Sequence, residues 1–223
     1  LRPASFWADN GIELRRTAVR AIDPELRVLA LEDGGTLGYG ALLLAPGAEP
    51  VRLDVPVADG ARVFYLRTHA DSRAIIAAAD GSRRAVVIGA SFIGLETAAA
   101  LRARGIEVAV LAPGRAPLAR VFGDALGGFV RSLHEEHGVR FPLERTPLRI
   151  ERDAVVSGSG ERLPADFVVV GIGVRPRTAL AASAGLDIDD GILVDTTLRT
   201  SRPGIWAAGD AARWPDPRTG GRI

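Results

Sequence analysis

The 223-residue chain balances 28 Lys plus Arg against 27 Asp plus Glu, a formal net charge of +1, and 47% of its residues are hydrophobic. That near-neutral balance gives no case for nucleic-acid binding, and no apolar run reaches the roughly 18 residues a membrane span needs. A chain of this length and apolar content buries one large core or two modest ones, and with no Cys it carries no redox dithiol of its own.

Between residues 11 and 44, short apolar segments such as "LRVLALEDGGTLGYGALLLA" alternate with turn signals at Asp33, Gly34 and Gly35, the pattern of a hairpin or meander. Residues 45–65 carry Pro46, Pro50 and Pro56 and read as a connecting loop. Residues 69–80 have helical spacing and stop before Gly81.

Then comes "RRAVVIGASFIGLE", residues 83–96. Residues 85–88 form a short apolar run suited to a strand buried on both faces. Residues 92–104 are Ala-rich and helical, with Arg102 and Arg104 in the last turn and Gly105 as the stop. "IEVAVLA", residues 106–112, is the next strand, which completes a βαβ unit of about 30 residues. The glycines therefore sit where a strand turns into a helix. Gly89 makes the sharp turn, Gly94 allows close helix packing on the sheet, and the amides of the first helical turn, from Phe92 and Ile93 onward, point where a pyrophosphate would lie. Ser91 stands where such a fingerprint has its middle glycine. Its side chain narrows the backbone approach and also supplies a donor. We read the turn as dinucleotide-binding.

The fingerprint expects an acidic residue at the end of the second strand to hold a ribose 2′-hydroxyl. Ala112 occupies that place, followed by Pro113, Gly114 and Arg115. Loss of the carboxylate removes a repulsion against a 2′-phosphate. Arg115 is either the partner of such a phosphate or a solvated loop residue, since the chain has no Lys and its many arginines are not informative by type alone. Neither cofactor, NADH or NADPH, is decided by these residues.

Further on, "DALGGFVRSLHEEHG" is an amphipathic helix with Leu126, Phe129, Val130 and Leu133 on one face. His134 and His137 lie on its solvated last turn and are not read as metal ligands, because no carboxylate or thiol motif accompanies them. "RDAVVSGSGERL" is a hairpin leading to a buried strand at residues 166–170. Gly171, Ile172 and Gly173 come next at its carboxyl end, as either a close approach to a cofactor or a simple turn. Residues 205–208 are strand-like, Gly209 breaks the strand, and Asp210 is placed to cap a helix beginning after it.

Taken together, "VVIGASFIGLE", "VVVGIG" with Pro176 after it, and "TSRPGIWAAGDAA" resemble, in order and spacing, the FAD-dependent pyridine-nucleotide reductases. The match is nearest to the ferredoxin/rubredoxin reductase and apoptosis-inducing-factor-like branch. The resemblance implies an α/β protein: a Rossmann-like three-layer NAD(P)H domain at residues 81–200 inserted into a partial FAD domain, whose pieces are residues 1–80 and the return segment 201–223. It implies FAD and NAD(P)H as cofactors, a hydride passed from NAD(P)H to FAD, and electrons released to an iron–sulfur acceptor protein in the cytoplasm. In that family the Asp of the "AAGD" motif, here Asp210 beside Gly209, holds a ribityl hydroxyl of FAD, and the Glu after the glycine turn, here Glu96, lies near nicotinamide and flavin. No side-chain acid or base is required for the hydride step, so no catalytic residue is assigned.

Two departures from the family are visible. Its usual "ATG-x-R-P" turn is Ala45-Pro46-Gly47-Ala48-Glu49-Pro50 here, so one backbone donor is lost and an acid replaces a basic residue. The family's first FAD phosphate turn would precede Leu1, and there is no Met at any position, so the chain is read as a fragment that is inactive by itself. The other reading is a degenerate NAD(P)-binding module without flavin turnover.

Overall fold

The computed structural model describes residues 2, 3 and 5–223. Its contacts divide the chain into two units, Leu1–Ala48 with Pro176–Ile223, and Glu49–Arg175. These boundaries differ from the expected 80 and 200. Residues 45–65, expected as a loop, contain the strands Ala48–Pro50 and Val63–Tyr65. The second of these pairs in parallel with Phe167–Val170, which draws it into the later unit.

The Glu49–Arg175 unit is built on a five-stranded parallel sheet in the order Val63–Tyr65, Phe167–Val170, Arg84–Ile88, Glu107–Leu111, Val139–Arg140. Its central strands are Val- and Ile-rich because both faces are covered, and successive side chains point to opposite sides. Val87, Val110 and Val169 share one core with Ile75, Leu95 and Leu101 of the helices His69–Ala79 and Phe92–Ala103. Val86, Ile88, Leu111, Val168 and Val170 pack in the other core with Ile150, Val155 and Leu163 of the antiparallel meander Pro147–Ile150, Ala154–Ser157 and Arg162–Pro164. Helices, sheet and meander make three layers.

Local chemistry sets the element ends. Thr68 and Asp71 form a reciprocal cap: the Asp71 amide donates to the Thr68 hydroxyl at 3.1 Å and the Thr68 amide donates to the Asp71 carboxylate at 2.7 Å. The amphipathic helix begins earlier than expected and spans Ala119–Glu136, with non-helical backbone at Gly123. Its apolar stripe is not core: Leu126, Phe129 and Leu133 are exposed, Val130 is partly buried, and Gly127 is the residue the helix buries. The reason is steric. A Cβ on Gly127 would lie 2.6 Å from the Pro117 carbonyl oxygen, so the helix packs on its own preceding loop through its smallest residue. His137 is exposed, while His134 packs edge-on against Phe141 and burial holds its ring below the ordinary imidazole value.

The other unit has an antiparallel meander, Val19–Asp23, Val28–Leu31 and Thr36–Gly38, and a parallel pair, Leu42–Leu44 with Ile205–Ala207. Residues 176–200, expected with the dinucleotide domain, belong here, because Ala181, Leu186, Ile192 and Val194 share a core with Ile22, Leu31 and Ile205. Among the described residues, no helix is long and apolar enough to cross a membrane.

Asp166 ties the starts of two central strands together. Its carboxylate accepts the amides of Arg83 and Arg84 at 2.7 and 2.8 Å, and the Arg83 bond leads in holding its carboxyl below the usual carboxylate range. A depressed folded-state pKa contributes stability that is present above the unfolded value and lost as pH falls through the folded one. Asp166→Ala is expected to lower stability at pH 7 by about 1–2 kcal/mol, allowing for partial exposure. In urea unfolding followed across pH, that deficit should shrink below about pH 4; a deficit independent of pH would mean the carboxylate charge contributes nothing.

Candidate functional site

At the carboxyl end of the sheet, three main-chain segments close on one another. The Gly89 amide donates to the Leu111 carbonyl at 2.8 Å and the Gly171 amide to the Ile88 carbonyl at 2.8 Å, so the parallel ladder runs one residue past the strands. Gly89 has φ +108°, in the region that favours glycine. A Cβ there would run into the Gly171 carbonyl oxygen, and one on Gly94 would run into the Gly89 carbonyl oxygen. A Cβ on Gly171 would sit 3.2 Å from the Gly94 nitrogen. Gly89 and Gly94 are therefore required by other backbone, and Gly171 lies in a tight approach to Gly94.

Ser91 is the N-cap of the helix Phe92–Ala103. Its hydroxyl accepts from the Gly94 amide at 3.2 Å and donates to the Gly171 carbonyl at 2.7 Å. The first amides of that helix, those of Phe92 and Ile93, have no carbonyl four residues back to bond, and the helix dipole makes this end positive. An anion is the partner such an end selects.

Beside this turn lies a cavity of about 480 Å³. Gly89, Ser91 and Phe92 form one wall, Gly171 and Ile172 another, and residues of the segment 112–121 the third. The third wall is fixed by hydrogen bonds from the Arg145 amide to the Ala112 carbonyl at 3.1 Å and from the Leu118 amide to the Ala90 carbonyl at 3.2 Å. Leu118 pays for that position with a left-handed backbone, φ +54°. The cavity is mostly apolar in lining and includes Phe92, the first residue of the helix, an arrangement suited to a flat apolar ring system joined to an anion.

The residues singled out in the sequence do not all converge. Gly89, Ser91, Phe92, Gly171 and Ile172 line the cavity, and Gly94 is buried behind them. Ile93 and Gly173 do not line it; the Gly173 carbonyl instead accepts the Val51 amide at 3.0 Å. Glu96 lies exposed on the helix and borders a separate cleft of about 270 Å³ with Thr97 and Arg104. Arg115 is not among the residues that line the cavity and makes an exposed ion pair with Glu144 at 3.4 Å. Arg120 is the one ionisable side chain among the described lining residues, and it was not among the residues expected from the sequence. Its signal was only its place in the loop and first helical turn after the second strand.

Gly209 and Asp210 belong to the other unit. There the Ala208 amide donates to the Leu44 carbonyl at 3.0 Å, so the turn Gly209–Ala211 and the segment 45–47 leave neighbouring strands at the same end. Asp210 is exposed in this turn, and the space beside Gly209 is open. Among the described residues, no group of three or more His, Asp and Glu is gathered as a metal site would require.

Residues 7–221 match the family described as pyridine nucleotide-disulphide oxidoreductase. The ferredoxin–NAD(+) reductase component of the anthranilate 1,2-dioxygenase system from Burkholderia cepacia is 39% identical over 228 residues, covering 100% of this chain and 56% of the relative. A ferredoxin reductase structure from Rhodopseudomonas palustris superposes with a TM-score of 0.95 at 39% identity, over 100% of this chain and 56% of that one. The covalent complex of putidaredoxin reductase with putidaredoxin gives a TM-score of 0.91 at 34% identity, again over 100% and 56%. The chain spans about half the length of the curated relatives it matches.

The backbone closure is open to a direct test. Gly81 also has a positive φ, but a Cβ there meets nothing within 4 Å, so Gly81→Ala is expected to cost only the left-handed conformation, about 1 kcal/mol. Gly89→Ala adds a collision with the Gly171 carbonyl, for a total of about 2–4 kcal/mol. Equal losses in denaturant unfolding would show that the approach of Gly89 to Gly171 is loose.

Proposed function

Since the chain belongs to the pyridine nucleotide-disulphide oxidoreductase family, we propose that it is part of an NAD(P)H-dependent flavoprotein reductase that passes a hydride from NAD(P)H to FAD and electrons on to a ferredoxin-like iron–sulfur protein. The observation that carries this reading is the closure of Gly89, Gly94 and Gly171 around a helix end that opens on the 480 Å³ cavity. That cradle fits a dinucleotide: side chains are excluded where a pyrophosphate approaches, and apolar walls stand where a ring would lie.

When bound, NAD(P)H supplies the hydride and FAD divides the electron pair into single steps. The chain's own share is to bind and orient. The Phe92 and Ile93 amides take the pyrophosphate, and Phe92, Ala112 and Ile172 shape the pocket beside it. In the other unit Asp210, at the turn after Ile205–Ala207, takes a ribityl hydroxyl, with Gly209 leaving room for the chain of the cofactor. Pro46 has no amide to offer to the flavin, and Glu49 adds negative charge in the same segment. These two residues favour the second reading, a binding module that keeps NAD(P)H and has lost flavin turnover.

For cofactor choice, the side chain that bears on a 2′-phosphate is Arg120, with Arg115 engaged by Glu144. A charge-assisted bond from Arg120, unopposed by a carboxylate at Ala112, favours NADPH. Calorimetric titration of the chain should give an NADPH affinity that falls about tenfold in Arg120→Ala while NADH affinity holds within about twofold. Arg115→Ala should change neither. A loss confined to Arg115→Ala would return the assignment to that residue. For the whole reading, the full-length parent should purify yellow or take up FAD on reconstitution. A folded parent that stays colourless while binding NAD(P)H would favour the binding module.

A further inference from the structure

We infer that Ser91 is a positioning residue of the dinucleotide site, not a phosphate ligand: its hydroxyl latches the turn after the strand Arg84–Ile88 to the loop after its neighbour Phe167–Val170. The inference rests on the proposed reading of the 480 Å³ cavity as the NAD(P)H site. A serine hydroxyl has one proton and two lone pairs. Here the proton goes to the Gly171 carbonyl at 2.7 Å and one lone pair accepts the Gly94 amide at 3.2 Å. No proton remains for a phosphate oxygen.

This differs from what the residue's place in the motif implies. At the middle position of the glycine fingerprint, a side chain would crowd an incoming pyrophosphate. In this chain the side chain is turned onto Gly171 instead, and a Cβ on Gly171 would lie 3.5 Å from the Ser91 oxygen and 3.3 Å from the Gly94 Cα. A side chain at 171 would therefore press on the Gly94 backbone beside the latch. The consequence of the latch is placement. Gly171 and Ile172 form one wall of the cavity, Phe92 another, and the Ser91 hydroxyl is the side-chain bond that joins them across 80 residues of sequence. The Gly173 carbonyl, bonded to the Val51 amide, fixes the far end of the same loop.

Ser91→Gly separates this role from two others. It restores the three-glycine pattern, so if Ser91 merely crowds the pyrophosphate, affinity should rise. Glycine is tolerated at an N-cap almost as well as serine, so loss of the cap alone should have little effect. The latch instead predicts NADPH and ADP-ribose binding about fivefold weaker by calorimetry, together with faster exchange of the Gly171 and Val51 amides, which bond to the Ile88 and Gly173 carbonyls, in the ligand-free chain. Ser91→Ala should behave alike, and Ser91→Thr, which keeps the hydroxyl, should restore slow exchange. Unchanged exchange in both Ser91→Gly and Ser91→Ala overturns the latch. Faster exchange with unchanged or tighter binding overturns its part in the nucleotide site. A parent chain that binds neither NAD(P)H nor ADP-ribose sinks the reading of the cavity itself, and the exchange measurement, which needs no ligand, tells that failure apart from failure of the latch.

Discussion

Backbone must touch backbone at the carboxyl end of the parallel sheet, and the rest of the site depends on that constraint. Gly89, Gly94 and Gly171 stand where any Cβ would strike or crowd a neighbouring main chain. With no side chains between them, the helix Phe92–Ala103 begins close against two strand ends, and its first residue is brought to the wall of the cavity. A helix end held farther from the sheet would offer the same dipole to water, where it is screened and of little use.

The closure depends in turn on how the strands are held. Each central strand divides its side chains between two cores, Val87 and Val169 toward the helices, Val86 and Val168 toward the meander. Filling both faces fixes the height of the sheet between its layers, and the bonds from Gly89 to Leu111 and from Gly171 to Ile88 carry the strand register into the turns. At the opposite end Asp166 binds the amides that open the neighbouring strand, so the register is pinned from both sides. The third wall of the cavity has a different origin. It is a loop held by main-chain bonds and backed by the contact of Gly127 with Pro117, which is why it tolerates a left-handed Leu118.

The smaller unit applies the same device with fewer strands. Leu42–Leu44 and Ile205–Ala207 run parallel, the Ala208 amide extends their ladder, and the chain then turns sharply at Gly209. Open parallel sheets take their ligands at the loops that leave the carboxyl ends of the strands. All three segments of this chain that carry the family's motifs run into loops of this kind, after Arg84–Ile88, Phe167–Val170 and Ile205–Ala207.

The features legible in the sequence were local ones. The apolar run at residues 85–88, the Ala-rich helix after it and the glycines at 89 and 94 declare themselves because strand, turn and helix each have a signature within a few residues. The motif order fixed the family, and the positions of Gly171 and Asp210 came with it. Pairing between distant segments was decided only in three dimensions. Val63–Tyr65 is too short to be told from loop until it finds Phe167–Val170, and the boundary between units moved with it. The stripe of Leu126, Phe129 and Leu133 has the period of a core face, yet the tight fit at Gly127 turns that helix on its smallest residue and leaves the stripe outside. Arg115 and Arg120 are alike in sequence, but only the course of the loop between the second strand and its helix brings one of them to the cavity. Ser91 shows the difference most plainly: its identity is local, while the direction of its hydroxyl is set by a carbonyl 80 residues away. Periodicity and propensity act over a turn or a strand, whereas burial and chain closure act between segments, and the site is made of the second kind of contact.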